Sequence, residues 1–238
     1  MSPPEPRKVA IVTGASQGIG AGLVQAFRAA GYAVVGTARS MPPANDSDYA
    51  TVAGDIAEPA TSELVAGEAL KRFGRIDTLI NNAGIYIGKP FTDYSAEEYD
   101  AITAVNLGGF FHITQRAIRQ MVDQGAGHVV NISTSLVDHA DSSRPCALTA
   151  LTKGGLAAVV RSLAIEYASR GVRVNAVSLG VIKTPVHNED SYAGMPALHP
   201  LGRLGEVSDV VDGILYLERA TFVTGEILHI DGGQSAGH

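Results

Sequence analysis

The chain has 238 residues, 45% of them hydrophobic, which is enough to bury a substantial core in one domain. Its 18 basic and 24 acidic residues give a formal net charge of -6 without a Lys/Arg-rich run, which argues against a nucleic-acid partner. A single cysteine, Cys146, excludes an intramolecular disulfide and a cysteine-based metal cluster. No stretch approaches about 18 uninterrupted apolar residues and the N-terminus lacks an apolar signal core, so the expectation is a soluble, cytoplasmic protein with no membrane partner. Residues 1–7 are expected to be flexible, and Cys146 to be an ordinary small side chain.

From Lys8 onward, short apolar runs alternate with longer amphipathic ones, the pattern of a parallel sheet with helices on both faces. The first strand, near residues 9–12, runs directly into Thr13-Gly14-Ala15-Ser16-Gln17-Gly18-Ile19-Gly20. Glycines there let the turn close and let backbone N–H groups approach a pyrophosphate, which would sit at the positive end of the following helix. That helix should end before Gly31. Further strands are expected near 33–36, 51–53, 78–80, 128–132, 173–177 and 226–229, making about seven. Their continuous Val- and Ile-rich runs suit strands buried on both faces.

Between the second and third strands, residues 40–48 are rich in Pro, Asn and Asp and read as a loop. Ser95-Ala96-Glu97-Glu98 is a capping box that should open a helix, continuing with a break near Gly108 and Gly109 towards Met121. A long helix over about 147–168 would carry Thr149 and Lys153 on one face through their four-residue spacing. Residues 184–203, with Pro185, Gly194, Pro196 and Pro200, form a second loop, long enough to act as a lid.

The spacing Gly14-x-x-x-Gly18-x-Gly20 and the run Asn81-Asn82-Ala83-Gly84 closely resemble the short-chain dehydrogenase/reductase family. Asp55, Asn106, Asn131-Ile132-Ser133-Thr134, Lys153 and Asp231-Gly232-Gly233 extend the match in the right order from about Lys8 to Gly233. The resemblance implies a Rossmann-type doubly wound sheet, a nicotinamide dinucleotide, a small-molecule substrate and a homodimer or homotetramer. It assigns Gly14, Ser16, Gln17, Gly18, Ile19 and Gly20 to the pyrophosphate turn, Asp55 and Ile56 to the adenine, and Asn82, Ala83 and Gly84 to the adenosine ribose. Lys153 would reach the nicotinamide ribose, and Gly180, Ile182 and Thr184 would lie near the carboxamide. In the end of the second strand no acid is present to bind a ribose hydroxyl, while Arg39 can offer a planar fork to a phosphate, so NADP is expected over NAD.

The resemblance also assigns catalysis to Asn106, to a hydroxyl at Thr134 or its neighbour Ser133, and to Lys153. Its fourth member, a tyrosine four residues before the lysine, is here Thr149. A phenol has a reference pKa near 10, whereas an aliphatic alcohol is roughly as weak an acid as water, so Thr149 is no ordinary general acid. The segment from Thr134 to Thr149 is about two residues longer than the family's usual spacing, and no tyrosine lies between Ser133 and Lys153. His139, Asp138, Asp141, Tyr86, His187 and Tyr192 are the other candidate donors. The family's usual Pro-Gly after the sixth strand is Leu179-Gly180 here. These features point to an NADP-dependent oxidoreductase with a nonstandard proton donor, or to a catalytically silent NADP-binding sensor or assembly partner.

Overall fold

The computed structural model describes residues 6–185 and 194–237. Its single sheet has the strand order β3-β4-β2-β1-β5-β6-β7-β8, with β1 (Val9–Thr13), β2 (Ala33–Ala38), β3 (Asn45–Asp46), β4 (Tyr49–Ala53), β5 (Thr78–Asn81), β6 (Gly127–Thr134), β7 (Val172–Leu179) and β8 (Ile227–Ile230). Seven strands run parallel, as expected. The eighth, β3, is an addition to that expectation: inside the segment read as a loop, Asn45 and Asp46 pair antiparallel with Ala50 and Tyr49 at the sheet edge. Two residues are too few to show a period of alternation, so this strand leaves no hydrophobic signal.

Alternate strand residues feed two separate cores, because successive side chains point to opposite faces. Val9, Ile11, Leu79, Val129 and Val174 pack under α2 (Pro59–Phe73), α4 (Phe110–Gln124) and α5 (Ala147–Tyr167). Ala10, Val12, Ile80, Val130 and Val177 pack under α1 (Gly18–Ala29) and α6 (Val207–Arg219), with Leu23, Phe27, Ile214 and Leu217 fully buried. By length and composition, residues 147–170 could cross a membrane. Here they are a core helix whose Leu148, Leu156, Val160 and Ala164 face β6 and β7.

The capping box is present: Ser95 Oγ accepts from Glu98 N–H and Glu98 accepts from Ser95 N–H, opening α3 (Ala96–Thr103). The expected break near Gly108 and Gly109 is instead a π-helical segment, Ala104–Gly109, through which the helix runs on into α4. π-turns insert one extra residue per turn and recur at functional sites. This one carries Asn106, 2% exposed, towards the C-terminal ends of the strands. Of the segment expected to form the lid, residues 184–185 and 194–203 are described, with a 3-10 turn at Met195–Leu198, and just outside it Ile182 bridges Gly205.

Candidate functional site

The order in which strands are added to the sheet reverses between the parallel β1 and β5, so the connections leaving their C-terminal ends go to opposite sides and leave a crevice of the kind that binds ligands in open α/β sheets. Thr13 holds the two ends together, since its buried hydroxyl accepts from Asn82 N–H at 3.0 Å and Ala83 N–H at 2.9 Å. Asn82 Nδ2 donates to the Thr13 and Gly14 carbonyls at 2.9 and 3.1 Å, so its side chain bridges strands. Above them lies a cavity of about 520 Å³ lined by Gly14, Ser16, Gln17, Gly18, Ile19, Arg39, Asp55, Ile56, Asn82, Ala83, Gly84 and Thr184, among others.

Four features fit this cavity to a dinucleotide. Gln17, the N-cap of α1, makes no side-chain cap and the first turn has no acid, leaving the positive helix end open to an anion. Gly14 has φ +66°, and a Cβ there would come within 2.9 Å of Asn82 Nδ2. Arg39 is exposed at the cavity and hydrogen-bonds to no described residue. Thr37 Oγ1 is buried in the wall and also lacks a hydrogen-bond partner among the described residues. Sequence reasoning passed over Thr37; it stood in the strand end examined for cofactor choice, but nothing local marks its hydroxyl as unpaired.

Three of the expected cofactor residues, Gly20, Gly180 and Ile182, are not among those lining this cavity. Gly20 does not touch the cavity: a Cβ there would lie 2.1 Å from the Gly14 carbonyl oxygen, so its role is to let α1 pack against the turn. Gly180 and Ile182 line a second cavity of about 330 Å³ with His199, Arg203 and Asp231. His199, 3% exposed, packs beside them: its Nε2 accepts from Val181 N–H at 3.0 Å and would lie 2.7 Å from a Cβ on Gly180. Asp55 lines the first cavity and at the same time caps a turn, accepting from Ala57 N–H at 3.0 Å.

Behind Gly84 the candidate catalytic residues meet. Asn106 clamps Ile85, accepting from its N–H at 2.9 Å and donating to its carbonyl at 3.1 Å, and donates also to Thr152 Oγ1 at 3.1 Å. Lys153 Nζ donates to the Ile132 carbonyl at 2.7 Å. Burial pulls the lysine's pKa down to about 8, because desolvation disfavours the charged form. Of three neighbouring hydroxyls, Ser133 turns back to the Lys153 carbonyl and Ser135 donates to Gln234. Thr134 Oγ1 accepts from Leu136 N–H at 3.4 Å and donates to no described residue.

Thr149 is 2% exposed and faces the chain rather than open space: Ile87 N–H donates to its Oγ1 at 3.3 Å, and the same hydroxyl makes a 3.5 Å contact to the Ile87 carbonyl. The substitute donors are mostly committed elsewhere. Asp138 accepts from Ser178 and His229, both at 3.2 Å. Hydrogen bonds from Ser143 hold the Asp141 carboxyl below its usual pKa, and burial pushes the Tyr86 phenol up. His139 is part-buried on the same loop. His187 and Tyr192 lie outside the described residues. Burial also raises the Cys146 thiol, which suits an unreactive side chain.

Comparison with known proteins agrees with this geometry. Residues 14–235 match the family model described as Enoyl-(Acyl carrier protein) reductase. The chain is 35% identical to the 3-oxoacyl-[acyl-carrier-protein] reductase FabG of Salmonella typhimurium over 95% of this chain and 96% of that one. The chain belongs to the short-chain dehydrogenase/reductase family. A second relative of this dehydrogenase/reductase, the granaticin polyketide synthase putative ketoacyl reductase 2 of Streptomyces violaceoruber, is 37% identical over 94% of this chain and 95% of its own. Among solved structures, ElxO with NADP bound superposes with a TM-score of 0.89 at 27% identity, covering 97% of this chain and all of that one. As a short-chain dehydrogenase/reductase, the protein is an NAD(P)-dependent oxidoreductase with a single-domain Rossmann fold.

Proposed function

We propose that the protein is an NADP-dependent reductase of a small carbonyl, imine or activated alkene, or the corresponding alcohol dehydrogenase, working without a tyrosine acid. The observation that carries this reading is Arg39, which hydrogen-bonds to no described residue, at one end of the cavity, together with Lys153 and Asn106 behind its Gly84 wall. The backbone N–H groups of Gly18 and Ile19 would receive the pyrophosphate, Arg39 the 2′-phosphate, and Lys153 the nicotinamide ribose. Reduced nicotinamide, when bound, supplies a hydride. The chain's own work is to orient the acceptor through the Thr134 hydroxyl, hold water away, and provide a proton. The names of the relatives, a 3-oxoacyl carrier-protein reductase and a polyketide ketoacyl reductase, favour a carbonyl.

Without a positioned phenol the reaction forfeits roughly 10²- to 10⁴-fold in rate, about 3 to 5 kcal/mol of barrier, which slows an enzyme without silencing it. The deciding experiment is NADPH oxidation against panels of ketones, imines and enones. Binding of NADPH without oxidation on any panel sinks the reductase and favours the second reading, a silent NADP-binding sensor or assembly partner. That second reading draws on Thr149, which is spent on the Ile87 backbone. We place the protein in the cytoplasm as a homodimer or homotetramer, the exposed Phe111, Leu151 and Ile165 on α4 and α5 offering an apolar interface.

A further inference from the structure

We propose that His199 is a positioning residue for the dinucleotide: its neutral ring pins residues 180–184, the wall shared by the two cavities, and a proton on that ring loosens the cofactor. The inference rests on the first cavity holding the dinucleotide and not on turnover. Residues 180–184 leave the end of β7 with Gly180 and Ile182 lining the second cavity and Thr184 the first. Thr184 stands across the phosphate turn, where a Cβ on Gly18 would lie 3.3 Å from its Cβ and its Cγ2. Whatever fixes this segment therefore fixes that side of the cofactor cavity.

Gly180 N–H donates to the Ile230 carbonyl at 3.1 Å, Lys183 N–H donates to the Gly205 carbonyl at 2.8 Å, and the Val181 carbonyl accepts from Gly205 N–H at 2.9 Å. A further tie comes from a side chain, since Val181 N–H donates to His199 Nε2 at 3.0 Å. Through Nδ1 the same ring meets the Met195 carbonyl at 3.1 Å. A carbonyl only accepts and an amide N–H only donates, so the two partners set the ring as the neutral Nδ1–H tautomer. Leu179 stands where the family keeps a proline, which leaves the strand end free to turn about φ. The bond from His199 restrains the chain two residues later.

A proton taken up by this ring must go on Nε2, where it would face the Val181 N–H donor to donor in a site that is 3% exposed. The bond breaks and Val181 N–H loses its acceptor. Of the charged groups around the ring, Asp231 after β8 draws the proton in, and Arg144 in the loop before α5 repels it. In the same cavity Arg203 is paired with Asp209 of α6, and His229 of β8 is paired with Asp138. Desolvation outweighs Asp231 and holds the ring below its ordinary pKa, so the pin is intact at neutral pH and opens in acid.

The test is calorimetric binding of oxidised NADP between pH 7.5 and 5. Because the 2′-phosphate itself titrates near about 6, each curve is read against His199→Gln, whose amide keeps a donor and an acceptor but takes up no proton. Below about pH 6.5 the wild-type Kd should rise about fivefold to tenfold more than that of His199→Gln. His199→Leu fills the space but accepts no hydrogen bond, so it should bind NADP about fivefold to tenfold more weakly at pH 7.5, with the same shallow pH curve as His199→Gln. The fragment 2′,5′-ADP carries the 2′-phosphate but neither the diphosphate bridge nor the nicotinamide, and should bind all three proteins alike. Nitrogen-15 NMR of the free protein should show the Nδ1–H tautomer of His199 at pH 7.5, with a midpoint below the ordinary value of about 6.5. Parallel Kd curves for wild type and His199→Gln, undiminished NADP binding by His199→Leu, or the Nε2–H tautomer overturns the inference alone. Loss of 2′,5′-ADP binding in step with NADP marks a general loss of structure and overturns the positioning role too. A wild-type protein that binds no NADP at any pH overturns the cofactor reading and this inference with it.

Discussion

Arg39 makes the sharpest claim about cofactor choice. It is exposed at the end of β2, lines the cavity with Ser16, Gln17 and Ser40, and hydrogen-bonds to no described residue, so a phosphate would not need to break an existing pair. Its neighbour Ala38 pairs with Ala53 on β4, and no carboxylate lies in β2 to repel a 2′-phosphate. A hydrogen bond to a charged group contributes about 1.5 to 3 kcal/mol, and the exposure of Arg39 argues for the lower end. Arg39→Ala should therefore raise the NADPH Kd about tenfold, since about 1.4 kcal/mol is a factor of ten. The NADH Kd should stay unchanged. Ala38→Asp combined with Arg39→Ala should invert the preference. Fluorescence titration of both nucleotides at fixed salt measures each constant. If Arg39→Ala weakens NADH and NADPH equally, or neither, the reasoning about the phosphate fails.

Gly20→Ala should destabilise the fold by about 1 to 3 kcal/mol in urea unfolding, because its Cβ has nowhere to go but into the Gly14 carbonyl. It should also abolish NADPH binding by deforming the turn. Glu218 accepts from Tyr32 at 2.8 Å and from His128 Nδ1 at 2.7 Å inside the sheet's α6 face, so Glu218→Ala should cost about 2 to 4 kcal/mol by stranding both donors. Burial lowers the His128 pKa, so the unfolded chain takes up more protons below its ordinary value. Stability should then fall as pH drops below about 6.5, and His128→Gln should flatten that fall. Thr149→Tyr must displace Ile87 and should lose about 1 to 3 kcal/mol of stability, while raising the rate of a site that is otherwise competent. A stable Thr149→Tyr protein that binds NADPH but shows no turnover would tell against the reductase.

How much of this was readable beforehand depended on the range of the interaction. Parallel strands buried on both faces show as continuous apolar runs, the glycine turn is a local spacing, and Ser95 and Glu98 lie within one turn, so all three stood out. The strand at Asn45 and Asp46 is too short to carry a pattern. The π-turn carries Asn106, whose partner Ile85 is 21 residues away, and no helical periodicity announces it. Thr149 was visible as a departure from the family, but its partner Ile87 is 62 residues earlier, and only the folded chain shows the hydroxyl bound there. The second cavity lined by Gly180 and Ile182 has the same character, since it is shared with a buried His199 that sequence reading did not single out.

The central claim is that this chain still reduces its substrate although a threonine stands where the family keeps its acid. The most direct measurement uses NADPH deuterated at nicotinamide C4, incubated with the protein and the carbonyl, imine and enone panels, with products read by mass spectrometry. Deuterium carried into the carbon skeleton of one product is the expected result. Saturable NADPH binding with no deuterium in any product would contradict the account.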